Sequence, residues 1–436
     1  MARDRERWSR GYGVALLRKR ESAQQATYVE LFFDLVMVFA LNRLVSSGVA
    51  DLEVPGQAPA DYLARWAGLG RTLLLFAPLL WTWTITAYLT ARFDPRTPAL
   101  QRSTLVAAFA VLIMGTSVPH AFDGAGGLSF ALAYTLNQVG RLLIFVYIIG
   151  AHPLGRLYVR ATVWLAVGGA FWILGGLTTG GAQVVLWILA VIVDFGAARL
   201  GWPLPRLGRG RQAVWEMAPH HLAERYQQLM LIALGETILA VGITFTTNKD
   251  RPGGYESLGL LTAFVTTVLL WRIYFQRAGQ VLGEAAVKAR NPGKVGGFIA
   301  SAHTLMIFGI VITAIGYELV QHHPLGYTFP AWLAMILGGP ACFLVGRAAL
   351  ERAVFSRVSR RRWIGIGILL LTFLPLVAAP PLAAGVTAAA VLFGIAYVDT
   401  RRAAHRPPEE PHPLDARSNW PWWSSPETRR ADPTPE

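Results

Sequence analysis

From about residue 28 to residue 400 the chain alternates long apolar runs with short polar connections. Twelve runs, near 28–47, 69–90, 101–118, 128–150, 157–177, 181–199, 224–244, 256–276, 296–316, 328–347, 363–380 and 382–398, approach the length needed to cross a bilayer as helices. Roughly 20 residues cover a hydrocarbon core of ~30 Å. The pattern therefore predicts an all-α fold, a polytopic transmembrane helical bundle of about twelve spans. Only Pro380 and Pro381 separate the last two runs, so these read either as full helices or as a broken hairpin.

Charge supports the same count. If the N-terminus is cytoplasmic, 32 of the 40 lysines and arginines fall in cytoplasmic segments, and only Arg65, Lys249 and Arg251 fall on the other side. A bias that alternates loop by loop requires the right number of crossings, and it predicts a multi-pass protein of the cell (inner) membrane with both termini cytoplasmic. The composition agrees, with 53% hydrophobic and 15% charged residues and a mean hydropathy of +0.40. A net charge of +14 would suggest nucleic acid in a soluble protein. Here the charge sits in membrane loops, so the expected partner is the lipid bilayer and not nucleic acid. With a single cysteine, Cys342, an intramolecular disulfide is impossible.

The two halves resemble each other. Glu30 to Gly48 (ELFFDLVMVFALNRLVSSG) aligns without gaps on Glu224 to Gly242 (ERYQQLMLIALGETILAVG), matching Glu30 with Glu224, Leu35 with Leu229 and Gly48 with Gly242. Six spans separate the copies, so they share one orientation, as in a six-plus-six parallel internal repeat. The expected division is a basic arm (1–27), a first six-helix repeat (28–200), a linker (201–223), a second repeat (224–400) and a disordered tail (401–436).

The informative residues are the polar ones inside the apolar runs. A charge in hydrocarbon costs at least a few kcal/mol, so such groups face a protein interior or a wet cavity. Glu30 and Asp34 lie four residues apart on one helical face, with Asn42 further along the same span. They can share a proton, hold a cation or pair with an arginine; Arg141 is the expected partner, with Arg71 and Arg43 as alternatives. Glu236, after Gly235, falls near mid-membrane with no charge adjacent in sequence, as ion or proton sites do. His220, Glu224 and Gln228 form a stripe and His221 lies three residues before Glu224, so His220, His221 and Glu224 are candidate ligands for a divalent metal. His303, His120 and Asp194 are further donors on other spans or their ends. Trp83, Trp271 and Tyr274 lie deep enough to line a cavity or to fill the core. No Walker loop or nucleophile elbow is present.

The stretches ELFFDLVMVFALNRL and ERYQQLMLIALGE resemble the two characteristic segments of the bacterial low-temperature-requirement protein A (LtrA) family of polytopic membrane proteins. The resemblance covers both halves and is weakest over the last two spans. Three functions remain open. In a carrier-like or channel-like protein, Glu30, Asp34, Asn42, Glu224 and Glu236 would form a proton, ion or small-molecule site with Arg141 as counter-charge. The second is an intramembrane metal-dependent or acid/base enzyme acting on a lipid or isoprenoid-like substrate, using the His220–His221–Glu224 group. The third is a non-catalytic stress-adaptation factor. The catalytic residues, the substrate and the oligomeric state are not legible from these residues.

Overall fold

The structure, a computed structural model, describes residues 25–53, 56, 58–150, 153–210, 218–247, 253–289, 292–404 and 409–413. Most of the expected basic arm, part of the linker and most of the tail lie outside the described residues.

The helices are α1 (Tyr28–Leu52), α2 (Pro59–Arg92), α3 (Pro98–Ser117), α4 (Ala125–Ile149), α5 (Pro153–Gly176), α6 (Gly180–Arg199) and α7 (Pro219–Thr247). They continue as α8 (Gly254–Phe275), the short α9 (Leu282–Lys288), α10 (Pro292–His322), α11 (Pro330–Phe355), α12 (Arg360–Leu371), the single turn α13 (Phe373–Leu376) and α14 (Pro381–Ala404). Among the described residues ten helices are long and apolar enough to cross a membrane. With α1, which has the length but carries Glu30, Asp34, Arg43 and Asp51, and with the broken α12–α13 arm, they make up the predicted bundle. Large apolar side chains such as Ile144, Leu174 and Leu261 are exposed around the outside, as lipid-facing residues are.

Two departures from the sequence expectation have local causes. Pro219 opens α7 at the first helical position, where its missing N–H costs nothing, so the helix starts five residues before 224 and includes His220 and His221. Pro375 breaks the penultimate span. It cannot donate to the carbonyl of Leu371 four residues earlier and would clash with it, so α12 stops at Leu371 and Thr372 N–H closes the turn on Ile368 O. The broken hairpin is the observed form.

Helices that follow one another in sequence are mostly neighbours in space, and α14 also packs on α8 and α11. α1 packs on α2 and α3, α3 on α4, α4 on α5, and α5 on α6; α7 packs on α8 and α10, α10 on α11, α11 on α12, and α12 on α14. The halves meet chiefly where α1 crosses α7 and α10. All of α1, α7, α10 and α12 begin on the face where α2, α8, α11 and α14 end, which is the arginine-rich face.

The closest packing lies between α10 and α11. Gly309 and Gly316 on one helix, and Gly339 and Gly346 on the other, each recur after seven residues and leave the two backbones in contact. A Cβ added to Gly309 would stand 2.5 Å from Phe343 N, and one on Gly339 would stand 2.6 Å from Thr313 N. Lipid tails are as apolar as leucine, so helices in a bilayer associate through close approach of this kind. Gly339→Ala is expected to lower stability by ~1–3 kcal/mol through overpacking, read as the unfolding midpoint in mild detergent. Gly338→Ala is the control: nothing lies within 4 Å of its added methyl, and its better helix propensity should leave the midpoint unchanged or slightly higher.

Candidate functional site

The polar groups of α1 converge on α7. Asp34 accepts a two-pronged contact from Arg225, with Nη1 at 2.6 Å from Oδ2 and Nη2 at 2.7 Å from Oδ1. The indole Nε1 of Trp83 on α2 donates to Asp34 Oδ1 at 3.0 Å. Arg225 also lies 5.5 Å from the Trp83 ring centroid, so the indole faces the cation as well as bonding the anion. Asp34, Arg225 and Trp83 are all buried. One turn nearer the arginine-rich face, Glu30 sits in the first turn of α1, where its Oε2 accepts from Thr27 N and Thr27 Oγ1 at 2.9 Å each. Its Oε1 faces His221 Nε2 at 3.2 Å and Arg225 Nε at 3.6 Å. Glu30 is fully buried, and it satisfies the first turn of its own helix while facing His221 and Arg225 on α7.

Aromatic side chains carry this cluster across to α10. Tyr226 lies 5.5 Å from Trp83 and stacks on His303 at 4.4 Å between centroids. His303 Nδ1 donates to Ile299 O at 2.8 Å, leaving Nε2 to accept from the Tyr274 hydroxyl at 2.9 Å. Trp83 and Tyr274 therefore fill the core with their polar atoms bonded. Trp271 is exposed on the lipid side.

A second polar group lies deeper. Asn42 Nδ2 donates to Glu236 Oε1 at 2.9 Å, linking α1 to α7 a second time. Asn42 and Glu236 are 194 residues apart, the same interval that separates Glu30 from Glu224 in the aligned segments. The other oxygen of Glu236 has no hydrogen-bond partner among the described residues. Glu318 on α10 lies within electrostatic range of Glu236. It accepts from Thr244 Oγ1 at 3.2 Å through one oxygen and likewise leaves the other unpartnered. One turn beyond, both ends of the buried Gln321 amide are unpartnered. No lysine or arginine pairs with Glu236 or Glu318 among the described residues. The series reaches the face opposite the arginine-rich one at Glu53, which meets His322 Nδ1 at 2.7 Å and His323 Nε2 at 3.2 Å. Burial opposes ionisation of Glu53, but hydrogen bonds from His322 and then His323 outweigh it and hold the carboxyl down at about 2.

The remaining predicted residues lie elsewhere. Arg141 does not meet Asp34; it is buried in the first half, donating to Thr86 Oγ1 at 2.7 Å and Gln138 Oε1 at 2.6 Å. Arg71 faces Asp51 at 3.4 Å near the opposite face. Glu224 accepts from Ala26 N and Gln228 Nε2, both at 3.2 Å, rather than joining His221. His220 is exposed and turns toward Gly283 on α9. His220, His221 and Glu224 thus face three different ways, and no group of three His, Cys, Asp or Glu that could hold a metal forms among the described residues. Asp194 accepts from Tyr134 at 2.7 Å and Trp172 at 3.1 Å, inside the first half. Sequence reasoning did not single out Arg225, near the start of α7, or Glu318, close to the end of α10. The 194-residue interval was the available signal for the Asn42–Glu236 contact.

Residues 25–397 match the family described as bacterial low temperature requirement A protein. A curated relative, "Uncharacterized protein RA0937" of Rhizobium meliloti (strain 1021), is 33% identical over 363 residues, covering 82% of this chain and 85% of its own. No solved structure matches. With both segments that carry the resemblance packed against each other at the centre of the bundle, the chain belongs to the LtrA family of multi-pass membrane proteins.

Proposed function

We propose that the protein moves a proton or a hard monovalent cation through a site built on Glu236, Glu318 and Asn42. The observation that carries this reading is a pair of buried carboxyl groups, each with one unpartnered oxygen and neither paired with a lysine or arginine among the described residues, with His322 in electrostatic range of Glu318 alone. Two ionised carboxylates in a low-dielectric interior would be very costly, so the site calls for protons or a cation to neutralise it. Oxygen donors alone favour a hard ion. The unpartnered ends of Gln321 and the Glu53–His322–His323 group extend the polar series to the opposite face.

On the other side of the site the Asp34–Arg225 pair and Trp83 form a dry plug about two turns along α1 from Asn42. Asp34 and Arg225 neutralise each other, so they close the route and fix the two halves rather than bind the moving ion. The equal 194-residue intervals support the six-plus-six parallel repeat: first helices that meet about an axis along the membrane normal touch at equivalent positions. The loop charges support cytoplasmic termini in the inner membrane, with the Glu53 group on the outer side.

In sealed vesicles containing the purified protein, an imposed pH or cation gradient should dissipate through the wild type. Glu236→Gln should reduce the flux at least ~10-fold, as expected for loss of the only titratable partner of Asn42. Wild-type flux no faster than in empty vesicles, for protons and for sodium and potassium, would sink the reading. If Asn42 and Glu236 are equivalent across the axis, the exchange Asn42→Glu with Glu236→Asn should restore more flux than Glu236→Asn retains alone. For the plug, Arg225→Gln alone should cost ~3–5 kcal/mol by leaving the buried Asp34 unpaired, and Asp34→Asn alone should cost less because Arg225 keeps Glu30 at 3.6 Å. The double variant should cost clearly less than the two single costs added, measured as a thermal double-mutant cycle in detergent.

A further inference from the structure

A separate cavity of about 420 Å³ opens on the arginine-rich face, between the end of α11, the start of α12 and the end of α14. Seven arginines and three carboxylates line it among the described residues. Two of those carboxylates are already engaged from within. Glu351 faces Arg347 at 3.2 Å and Arg362 at 3.1 Å, and Asp399 bonds Arg361 and, at 2.6 Å, Arg362. Arg360 and Arg402 make no ion pair among the described residues. Arg362 is buried, yet its Nη1 has no hydrogen-bond partner there, and the Nη1 of the buried Arg347 has an ionic neighbour but no hydrogen bond.

The helix geometry adds to the excess. Arg360, Arg361 and Arg362 occupy the first turn of α12, where the backbone N–H groups already carry the positive end of the helix dipole. Cations belong at the other end of a helix, so three of them here create a local field that an anion relieves. The protein supplies one anion itself. The Glu409 carboxylate binds Arg357 through both oxygens and lies 3.8 Å from Arg277. Neighbouring contacts hold this piece of the tail: Lys288 lies 3.3 Å from Glu410, and Ser356 Oγ donates to His412 O at 2.7 Å. The expected disorder of the tail therefore does not extend to residues 409–413. A planar guanidinium gripping a carboxylate in this manner has the geometry that also grips phosphate.

We propose that this cavity is a binding site for a phosphate-bearing anion, with Glu409, which already holds Arg357, as an internal competitor for that arginine. Arg357, Arg360 and Arg362 supply the donors and the start of α12 supplies the field. Ile364 and Phe355 form an apolar wall beside the exposed Trp363, so the phosphate can belong to a lipid headgroup at the membrane surface or to a free solute. The site is independent of the Glu236 route.

The test uses the full-length chain in two arms. Inorganic phosphate is titrated into detergent-purified protein by calorimetry, and retention of phosphatidylglycerol over phosphatidylcholine is measured by native mass spectrometry from mixed-lipid nanodiscs. Each is done for wild type, Glu409→Gln and Arg360→Gln, both at positions outside the packed core, with thermal unfolding to verify the fold. Removing the competitor should tighten binding about fivefold and removing the unpaired arginine should weaken it by a similar factor. Phosphate binding that follows this pattern without lipid preference identifies a soluble ligand. Lipid retention that follows it without phosphate binding identifies a headgroup. Absence of both, or binding indifferent to both substitutions in folded protein, overturns the proposal.

Discussion

Arg225 brings a full positive charge into the seam between two membrane helices, and Asp34 is the group that makes this tolerable. Without Arg225 the buried Asp34 has no counter-charge, and without Asp34 Arg225 keeps only the more distant Glu30. That condition fixes the rotation of α1 against α7, and with it the positions of the other polar groups on both helices. Glu30 meets His221 one turn towards the arginine-rich face, and Asn42 meets Glu236 about two turns the other way. Trp83 completes the pair by bonding Asp34 and covering Arg225, so α2 is tied to the same point.

The structure divides its buried charges into two kinds. Asp34 and Arg225 neutralise one another and are fixed in place. Glu236, Glu318 and Gln321 keep unpartnered polar atoms in a region without lysine or arginine partners among the described residues. Fixed pairs give rigidity, and unpartnered acids leave chemistry to be done. The aromatic chain from Trp83 through Tyr226 and His303 to Tyr274 belongs to the first kind, because each polar atom named in it finds a bond.

Much of the architecture was legible because membrane chemistry is severe: long apolar runs and one-sided arginines leave few ways to thread the chain. The burial of Glu236 inside the bundle was legible for the same reason. The partner of Asp34 was not, because hydropathy ranks a charge by its place along a span, and Arg225 lies only six residues into α7, where a snorkelling arginine looks the same as a buried one. Arg141 was misleading in the opposite way. It sits in the middle of its span, but Thr86 and Gln138 meet its guanidinium, and neutral partners carry no charge for a reader of sequence to match. His220 and His221 are adjacent in sequence, so their side chains leave α7 about 100° apart, and they do not gather with Glu224 into a three-donor group among the described residues.

The break at Pro375 has a consequence for the lipid. α12 rises about 18 Å, short of a hydrocarbon layer of ~30 Å, and the single turn of α13 beyond Thr372 supplies much of the rest. Leu370, Leu371 and Leu374, on the two sides of the break, are exposed to the surroundings. The lipid beside this arm therefore meets two helical pieces and not one continuous rod, with the turn of arginines at one end and the break among the leucines near the other.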